Sequence, residues 1–514
     1  MSNFNLFNMV SFDAAIVIMP ITVNNEIVYR ERIDVMLTYS FENRGSESLY
    51  EYLYKLIKED ILNGTLSPDE KLPSKRALAK HLSISTITVE NTYSQLCAEG
   101  YLYSVPKSGF YVSDITSRRP ISMNKPERVL KISYETPEYF ADFVNNSTST
   151  DTFPFATWTK LLRETMSENA DKLMARSPSA GIIELRSAIA DYLYQFRGMM
   201  VDPEQIVIGA GTEYLYSLII QLLGRDKKYA IEDPGYQKIA KIYRANEVSF
   251  CHISMDKNGI SIEELQHSGA DILHISPTHH FPTGIVTPIN RRYELLSWAS
   301  ESEERYIIED DYDSEFRLQG KPIPSLHSID SSEKVIYMNT FSKSLSSTIR
   351  ISYMVLPKPL LAKYEKELSF YSCTVSNFEQ YTLAKFIEKG YLEKHINRMR
   401  NYYRTLRDTL LTCIKNQPGF SKVTILEEDA GLHFLLKVDT SMNDMELIHQ
   451  AALQGIHVSC LSQYYYAPAL EEGRTSSHNA YHTPNTHTLI INYSGILLTT
   501  IDEAICRLFR IIKN

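Results

Sequence analysis

Apolar residues first settle into a regular period at Leu49. Leu49, Leu53, Leu56, Ile57 and Ile61 recur at helical spacing and stop at Asn63-Gly64, a C-terminal cap signal. Ser74, after Pro73, is placed to cap a second helix from Lys75 to Leu82. Ser85 is placed to cap a third, in which Val89, Tyr93, Leu96 and Cys97 form one apolar stripe ending at Glu99-Gly100. Two short strands follow, Tyr101 to Val105 and Phe110 to Val112, joined by Pro106-Lys107-Ser108-Gly109. Three short helices and a β-hairpin predict a winged helix-turn-helix over residues 45–113. Before it, residues 1–40 carry no clear helical or strand period and read as an N-terminal extension, disordered or peripheral. After it, residues 114–138 mix Arg118-Arg119-Pro120, Lys125-Pro126 and Pro137 and read as a linker.

From residue 139 to 514 the pattern changes. Helical stretches alternate with short apolar runs: Ile206 to Ile208, Tyr229 to Ile231, Ile272 to Ile275, Tyr306 to Ile308, Val335 to Met338 and Ile351 to Leu356. Crossovers of this length predict an α/β domain with a mostly parallel sheet covered by helices, and ligands at the strand ends. The chain is therefore multidomain.

Composition narrows the class. At 514 residues there is room for a large core and more than one domain. A net charge of −9 gives no global nucleic-acid signature, so any DNA contact must be a local patch. Six cysteines without CxxC spacing argue for reduced thiols in a cytoplasmic protein, against a disulfide frame and against a zinc site. The apolar stretch Met9 to Val23 contains Asp13 and Pro20 and lacks a basic flank, so it is poorly built as a signal peptide or a membrane span.

In the winged helix, the third helix turns Thr86, Thr88 and Asn91 away from its apolar stripe, towards a major groove. Lys75, Arg76, Lys80 and Lys107 stand at helix starts and in the wing, where phosphates lie, with Ser85, Ser108 and Gly109 beside them. The run LYEYLYKLIKEDILNGTLSPDEKLPSKRALAKHLSISTITVENTYSQLCAEGYLYSVPKSGFYV resembles the DNA-binding domain of the GntR family of bacterial transcription regulators. The resemblance implies double-stranded operator DNA as a partner, with Arg76 at a family phosphate-contact position. Many members place arginine after the serine that opens the recognition helix, and this chain has Thr86 there.

The strand ends of the large domain carry cofactor-type chemistry. Gly209-Ala210-Gly211-Thr212-Glu213 opens a long helix whose first N–H groups suit a phosphate, although an ordinary glycine turn would look the same. Asp233-Pro234-Gly235-Tyr236 can project a ring over a planar ligand. Adjacent His279 and His280 have no third ligand at a suitable spacing, so no metal site is expected. Glu309-Asp310-Asp311-Tyr312-Asp313 crowds acids at a strand end, where a cation or a protonated ring would relieve their repulsion; a solvated acidic loop is the alternative. Lys343 sits in a Ser/Thr-rich turn between two apolar runs, seven positions before Arg350.

The runs EDDYDSEFR, IYMNTFSKSLSSTIR, EDPGYQK, FPTG and HINRMRNYYRTLRD resemble fold-type I pyridoxal-phosphate enzymes of the aminotransferase class. Joined to the winged helix, they resemble the MocR subfamily of GntR regulators. That resemblance implies pyridoxal 5'-phosphate as cofactor. Lys343 would bond its aldehyde, Asp310 would pair with the pyridine nitrogen, Tyr312 with the 3-oxygen, and Tyr236 would stack on the ring. Arg350, Ser342 and the backbone at Gly211-Thr212 would hold the phosphate. It further implies a homodimer and a small-molecule effector, either an amine, an amino acid or pyridoxal phosphate itself. An active aminotransferase carrying a DNA-binding domain is the alternative. By ungapped placement, Ile490 takes the position of the arginine that grips a substrate carboxylate in aminotransferases, which disfavours transamination of α-amino acids. Lys238 and Arg176 are the candidate substitutes for effector binding.

Overall fold

The computed structural model describes residues 16–23, 26–33, 36–42, 44–115, 138–145, 152–318, 320, 323–429, 431–466 and 486–513. Contacts divide the chain into two units, residues 1–134 and 135–514. Most of the linker expected at 114–138 lies outside the described residues.

In the first unit, α1 (Leu49–Asn63), α2 (Lys75–His81) and α3 (Thr86–Ala98) are followed by a hairpin. Each helix starts on a serine: the expected Ser74 and Ser85 open α2 and α3, and Ser48 opens α1. Ser48 makes a full capping box with Glu51, Ser74 accepts from the Ala77 amide, and Ser85 accepts from the Thr88 amide. Gly64 closes α1 in the left-handed conformation. Leu53, Ile57, Leu78, Val89, Tyr93 and Leu96 form the centre of the core.

The N-terminal extension contains a strand pair. Ile16–Val23 (β1) pairs antiparallel with Glu26–Ile33 (β2), and its β-branched content accounts for a strand where no period was legible. Residues just after it belong to the winged helix. Leu37 is buried in its core, Thr38 Oγ1 lies 2.9 Å from His81 Nε2, and Tyr39 donates to Asp60 at 2.7 Å. So short a segment cannot show a period, and its burial depends on a surface the helices create. The wing is β3 (Leu102–Val105) and β4 (Gly109–Val112), paired antiparallel.

The second unit is built on an eight-stranded sheet. After a short β5 (Ala141–Asp142) come β6 (Ile206–Gly209), β7 (Lys228–Asp233), β8 (Ser249–Asp256), β9 (Gly259–Ile260), β10 (Ile272–Ile275), β11 (Tyr306–Asp310), β12 (Val335–Thr340) and β13 (Ser352–Val355). The spatial order is β6-β13-β12-β11-β10-β7-β8-β9. Strands β8, β7, β10, β11 and β12 run parallel, whereas β13 is antiparallel to both of its neighbours. β6, β10, β12 and β13 are buried at every position, which is why they read as continuous apolar runs without alternation. Helices α4 (Phe155–Glu168), α5 (Ala170–Met174), α6 (Ile183–Arg197), α7 (Thr212–Leu223) and α8 (Gln237–Ala245) include the crossovers that shape the site.

The C-terminal part carries a smaller antiparallel sheet. β14 (Val423–Leu426), β15 (His433–Asp439), β18 (Thr486–Asn492) and β17 (Ser459–Cys460) are adjacent in that order. Its core packs against the long helix Tyr391–Lys415 and the last helix Ile501–Lys513. β16 (Ile456–His457) pairs with β5. Among the described residues no helix is long and apolar enough to cross a membrane.

Candidate functional site

The strand ends and the first turns of α7 and α8 enclose a cavity of about 790 Å³, within the roughly 300–1,000 Å³ usual for small-molecule sites. Thr212, Tyr236, Lys238, Asp310, Tyr312, Ser342, Lys343 and Arg350 all line it. These residues are up to 138 positions apart in the chain, and the parallel sheet brings them together because their strands end on one edge.

The acidic run sorts itself one carboxylate at a time. Glu309 accepts backbone N–H groups from Leu326 at 2.6 Å and His327 at 2.8 Å. Asp311 Oδ2 takes Arg197 Nη2 at 2.7 Å and the Tyr337 hydroxyl at 2.7 Å. Asp313 Oδ2 takes His279 Nδ1 at 2.8 Å. Asp310 alone of the four faces the cavity. Its Oδ2 accepts from the Tyr216 hydroxyl, while its Oδ1 is buried with no hydrogen-bond partner.

Lys343 follows the end of β12, in a one-turn helix, Phe341–Ser344. Thr340 caps that turn, accepting from the Ser342 amide at 3.1 Å, and is itself held by Ser352 Oγ at 2.8 Å. Burial pushes the Lys343 amine down to about 8, partly offset by the negative charge of Asp313. A lysine so shifted is about one-tenth neutral at pH 7, a far larger nucleophilic fraction than an ordinary lysine has.

At the other end of the cavity, Gly211 precedes α7 with φ +93°, and a side chain there would run into the Arg350 guanidinium. Arg350 itself is held in the left-handed region at φ +50°. Its Nη2 lies 3.4 Å from Glu213 Oε2, and Glu213 Oε1 pairs with Lys238. Tyr312 is half-buried, with its hydroxyl 3.3 Å from His279 Nδ1, and desolvation beside Asp313 raises its pKa well above that of a free phenol. Tyr236 stands at the start of α8, with its ring edge-on to Phe281 at 6.1 Å. The adjacent histidines part company: His279 goes to Asp313, and His280 Nδ1 lies 2.7 Å from Thr283 Oγ1. Among the described residues no group of three side chains could hold a metal ion.

Arg176 is not brought to the cavity in its own chain. It donates to Ser372 Oγ at 2.8 Å and to the Phe370 carbonyl at 3.0 Å. In β18, Leu489 and Ile491 pack into the C-terminal core, as does Tyr493 just after it, so Ile490 and Asn492 point to the opposite face. Asn492 lines the cavity; Ile490 is only 1% exposed and offers no charge.

In the winged helix, Thr86 and Asn91 are exposed on α3 and Thr88 is half-buried beside Ser85. Arg76 and Lys80 are exposed on α2, whereas Lys75 is drawn into a 2.6 Å ion pair with Glu90. Lys107 holds the left-handed corner of the wing at φ +65°, followed by Gly109 at φ +129°, and Ser108 Oγ lies 2.6 Å from Tyr111 Oη. Ile87, which the sequence reading passed over, is 68% exposed in the first turn of α3.

Residues 49–112 match the model for bacterial regulatory proteins of the gntR family, and residues 144–489 match aminotransferase class I and II. An uncharacterized HTH-type transcriptional regulator of Bacillus subtilis, YdeL, is 38% identical, with 90% of this chain and 96% of the relative aligned. The probable rhizopine catabolism regulatory protein MocR of Rhizobium meliloti is 29% identical over 89% of this chain and 92% of its own length. The chain belongs to the MocR subfamily of GntR regulators. The fold of its large unit is that of the aminotransferases. The kynurenine aminotransferase of Pyrococcus horikoshii superposes with a TM-score of 0.61 at 24% identity, covering 74% of this chain and 92% of that one.

The large unit of this MocR-type chain is of the pyridoxal-phosphate class, and its residues fit that group. An unpartnered, buried Asp310 oxygen, a lysine amine of lowered pKa and an arginine packed on a glycine at a helix start are complementary to a ring N–H, an aldehyde and a phosphate. The sequence reading missed the groups behind Asp310. Tyr216 bonds it across 94 residues, and His274 Nε2 approaches its Oδ2 at 3.9 Å while its Nδ1 meets the Tyr243 hydroxyl at 2.7 Å. It also missed Tyr464, Tyr465 and Tyr466 in the cavity wall, although three consecutive tyrosines are a visible aromatic run.

Proposed function

We propose that this regulator uses its aminotransferase-like domain as a cofactor-loaded sensor that controls the DNA-reading winged helix. In this reading Lys343 bonds the cofactor aldehyde and Asp310 Oδ1 accepts from the protonated ring nitrogen. Tyr312 donates to the ring oxygen, and Tyr236 covers one face of the ring. Arg350, Ser342 and the amides at Gly211 and Thr212 hold the phosphate. When bound, pyridoxal phosphate supplies an electrophilic carbon at which an incoming amine can replace lysine. Tyr216, with His274 behind it, fixes the Asp310 carboxylate, so the oxygen left over stays aimed into the cavity. Ligand binding then needs only a modest preference for one of two conformations to change DNA affinity. A cytoplasmic homodimer suits this role, because two readers match paired half-sites.

The observation that carries the reading is the buried Asp310 Oδ1 without a partner, in the same cavity as Lys343. The test is the visible absorbance of full-length protein mixed with pyridoxal phosphate. Wild type develops the band of a lysine-bound cofactor and Lys343→Ala does not; absence of the band in wild type sinks the reading.

A second reading is favoured by Ile490, whose buried apolar side chain removes the usual carboxylate grip. In it the sensed molecule is pyridoxal phosphate itself. Equal affinity of cofactor-free and cofactor-loaded protein for its own promoter fragment would rule this out.

A further inference from the structure

The cavity continues past the cofactor-binding residues along α8, and its chemistry there differs from that of the ring end. Lys238, Lys241 and Arg244 recur at helical spacing on α8, and all three line the cavity. With a rise of about 1.5 Å per residue, Lys241 and Arg244 lie roughly 7 and 12 Å along the helix axis from Tyr236. Lys238 is neutralised by Glu213. Lys241 and Arg244 are different: among the described residues neither has a carboxylate partner, in a chain whose net charge is −9. Arg244 does lie over the Phe250 ring, at 6.0 Å.

The wall facing these cations is aromatic and held in place. Tyr466 stacks on His252 at 3.9 Å with 12° between the planes. Its amide donates to Asp233 Oδ1 at 3.0 Å, and the Gly235 amide donates to the Tyr464 carbonyl at 3.1 Å. Burial and the charge of Arg244 hold the His252 pKa down at about 4, so the stacked ring is neutral and adds no competing cation. The result is a channel with an amine-reactive end, an aromatic side and two unpaired cations at its far end. At the near end, where an α-carboxylate would need a cation, Ile490 offers none.

We infer that the effector is an elongated primary amine whose anionic group, a carboxylate or a phosphate, lies many bonds from its nitrogen and is held by Lys241 and Arg244. This inference rests on the sensor reading above and names its ligand class. The amine would reach Lys343, the spacer would run along Tyr464–Tyr466, and the anion would replace water around the two cations. Compounds whose acid sits next to the amine would bring their carboxylate near Asn492, an amide that offers no charge to pair with it.

The test uses full-length protein loaded with pyridoxal phosphate and follows the visible band while three probes are titrated: 8-aminooctanoate, octylamine and L-alanine. A fourth, the phosphonate analogue of 8-aminooctanoate, distinguishes a preference for phosphate-like anions from one for carboxylates. The expected result is that one or both of the long acidic amines bind at least tenfold tighter than octylamine and L-alanine. Lys241→Ala/Arg244→Ala should erase that advantage while leaving octylamine affinity and the band itself unchanged. Equal binding of 8-aminooctanoate, its phosphonate and octylamine overturns the inference, as does a double variant that keeps the preference, or an intact band that no long acidic amine perturbs. Loss of the band in wild type is a separate outcome: it refutes the sensor reading, and the inference falls with it.

Discussion

At the scale of the residue, the molecule turns on one ammonium group taken out of water. Burial lowers the Lys343 pKa to about 8, and Asp313 restores only part of the loss. Only the neutral amine attacks an aldehyde, so the rate of cofactor uptake by apo protein should rise about tenfold per pH unit below 8 and level off above it. Stopped-flow absorbance between pH 6 and 10 checks this; a rise continuing to the ordinary lysine range would show that the amine is not desolvated. The linked effect on stability has a definite sign. The unfolded lysine keeps its proton up to about 10.4, so between pH 8 and that value the unfolded chain binds more protons. Apo stability contributed by this group therefore increases with pH across that window. Lys343, Asp310, Tyr312, Tyr236 and Arg350 were singled out in the sequence by their places after apolar runs together with the family resemblance, and they line one cavity. Tyr216, His274 and Glu213 were not, since their roles arise from contacts between helix and strand that no local pattern records.

At the scale of the element, the winged helix was readable almost to the residue because its starts and stops are chemical. Serine opens α1, α2 and α3 by accepting backbone amides, and the third of these caps the helix expected to meet DNA. Ser85→Ala removes the acceptor for the Thr88 amide and should cost about 1 kcal/mol. Amide exchange across Thr86–Ala98 in the full chain should then speed up about fivefold. Unchanged exchange would mean that packing of Val89, Tyr93 and Leu96 already fixes the helix without its cap. The parallel strands were also legible, being apolar at every position. The antiparallel direction of β13 was not, because a buried strand reads the same either way. Nor was the packing of Leu37 and Tyr39, a short segment whose burial is set by the helices it touches.

At the scale of the whole molecule, a chain of net negative charge must hold DNA through a few exposed cations. Lys75 is partly neutralised by Glu90, which leaves Arg76 as the more exposed cation of the two on α2. Arg76→Ala should lower promoter affinity and flatten the log–log salt dependence by about one unit, as measured by fluorescence anisotropy across salt concentrations. An unchanged slope would place Arg76 off the phosphates. A last consequence belongs to Glu213, whose carboxylate pairs with both Arg350 and Lys238. A phosphate held by Arg350 would compete with that carboxylate, so cofactor loading would release one of its two tethers and change the field around Lys238. Occupancy would then have a sequence: the site would present its final charge pattern to a visitor only once its resident had arrived. Glu213→Gln should tighten cofactor binding several-fold by removing the rival anion, measurable by equilibrium dialysis. It should also blur the order in which the two molecules enter, visible as the loss of a lag when both are mixed with apo protein.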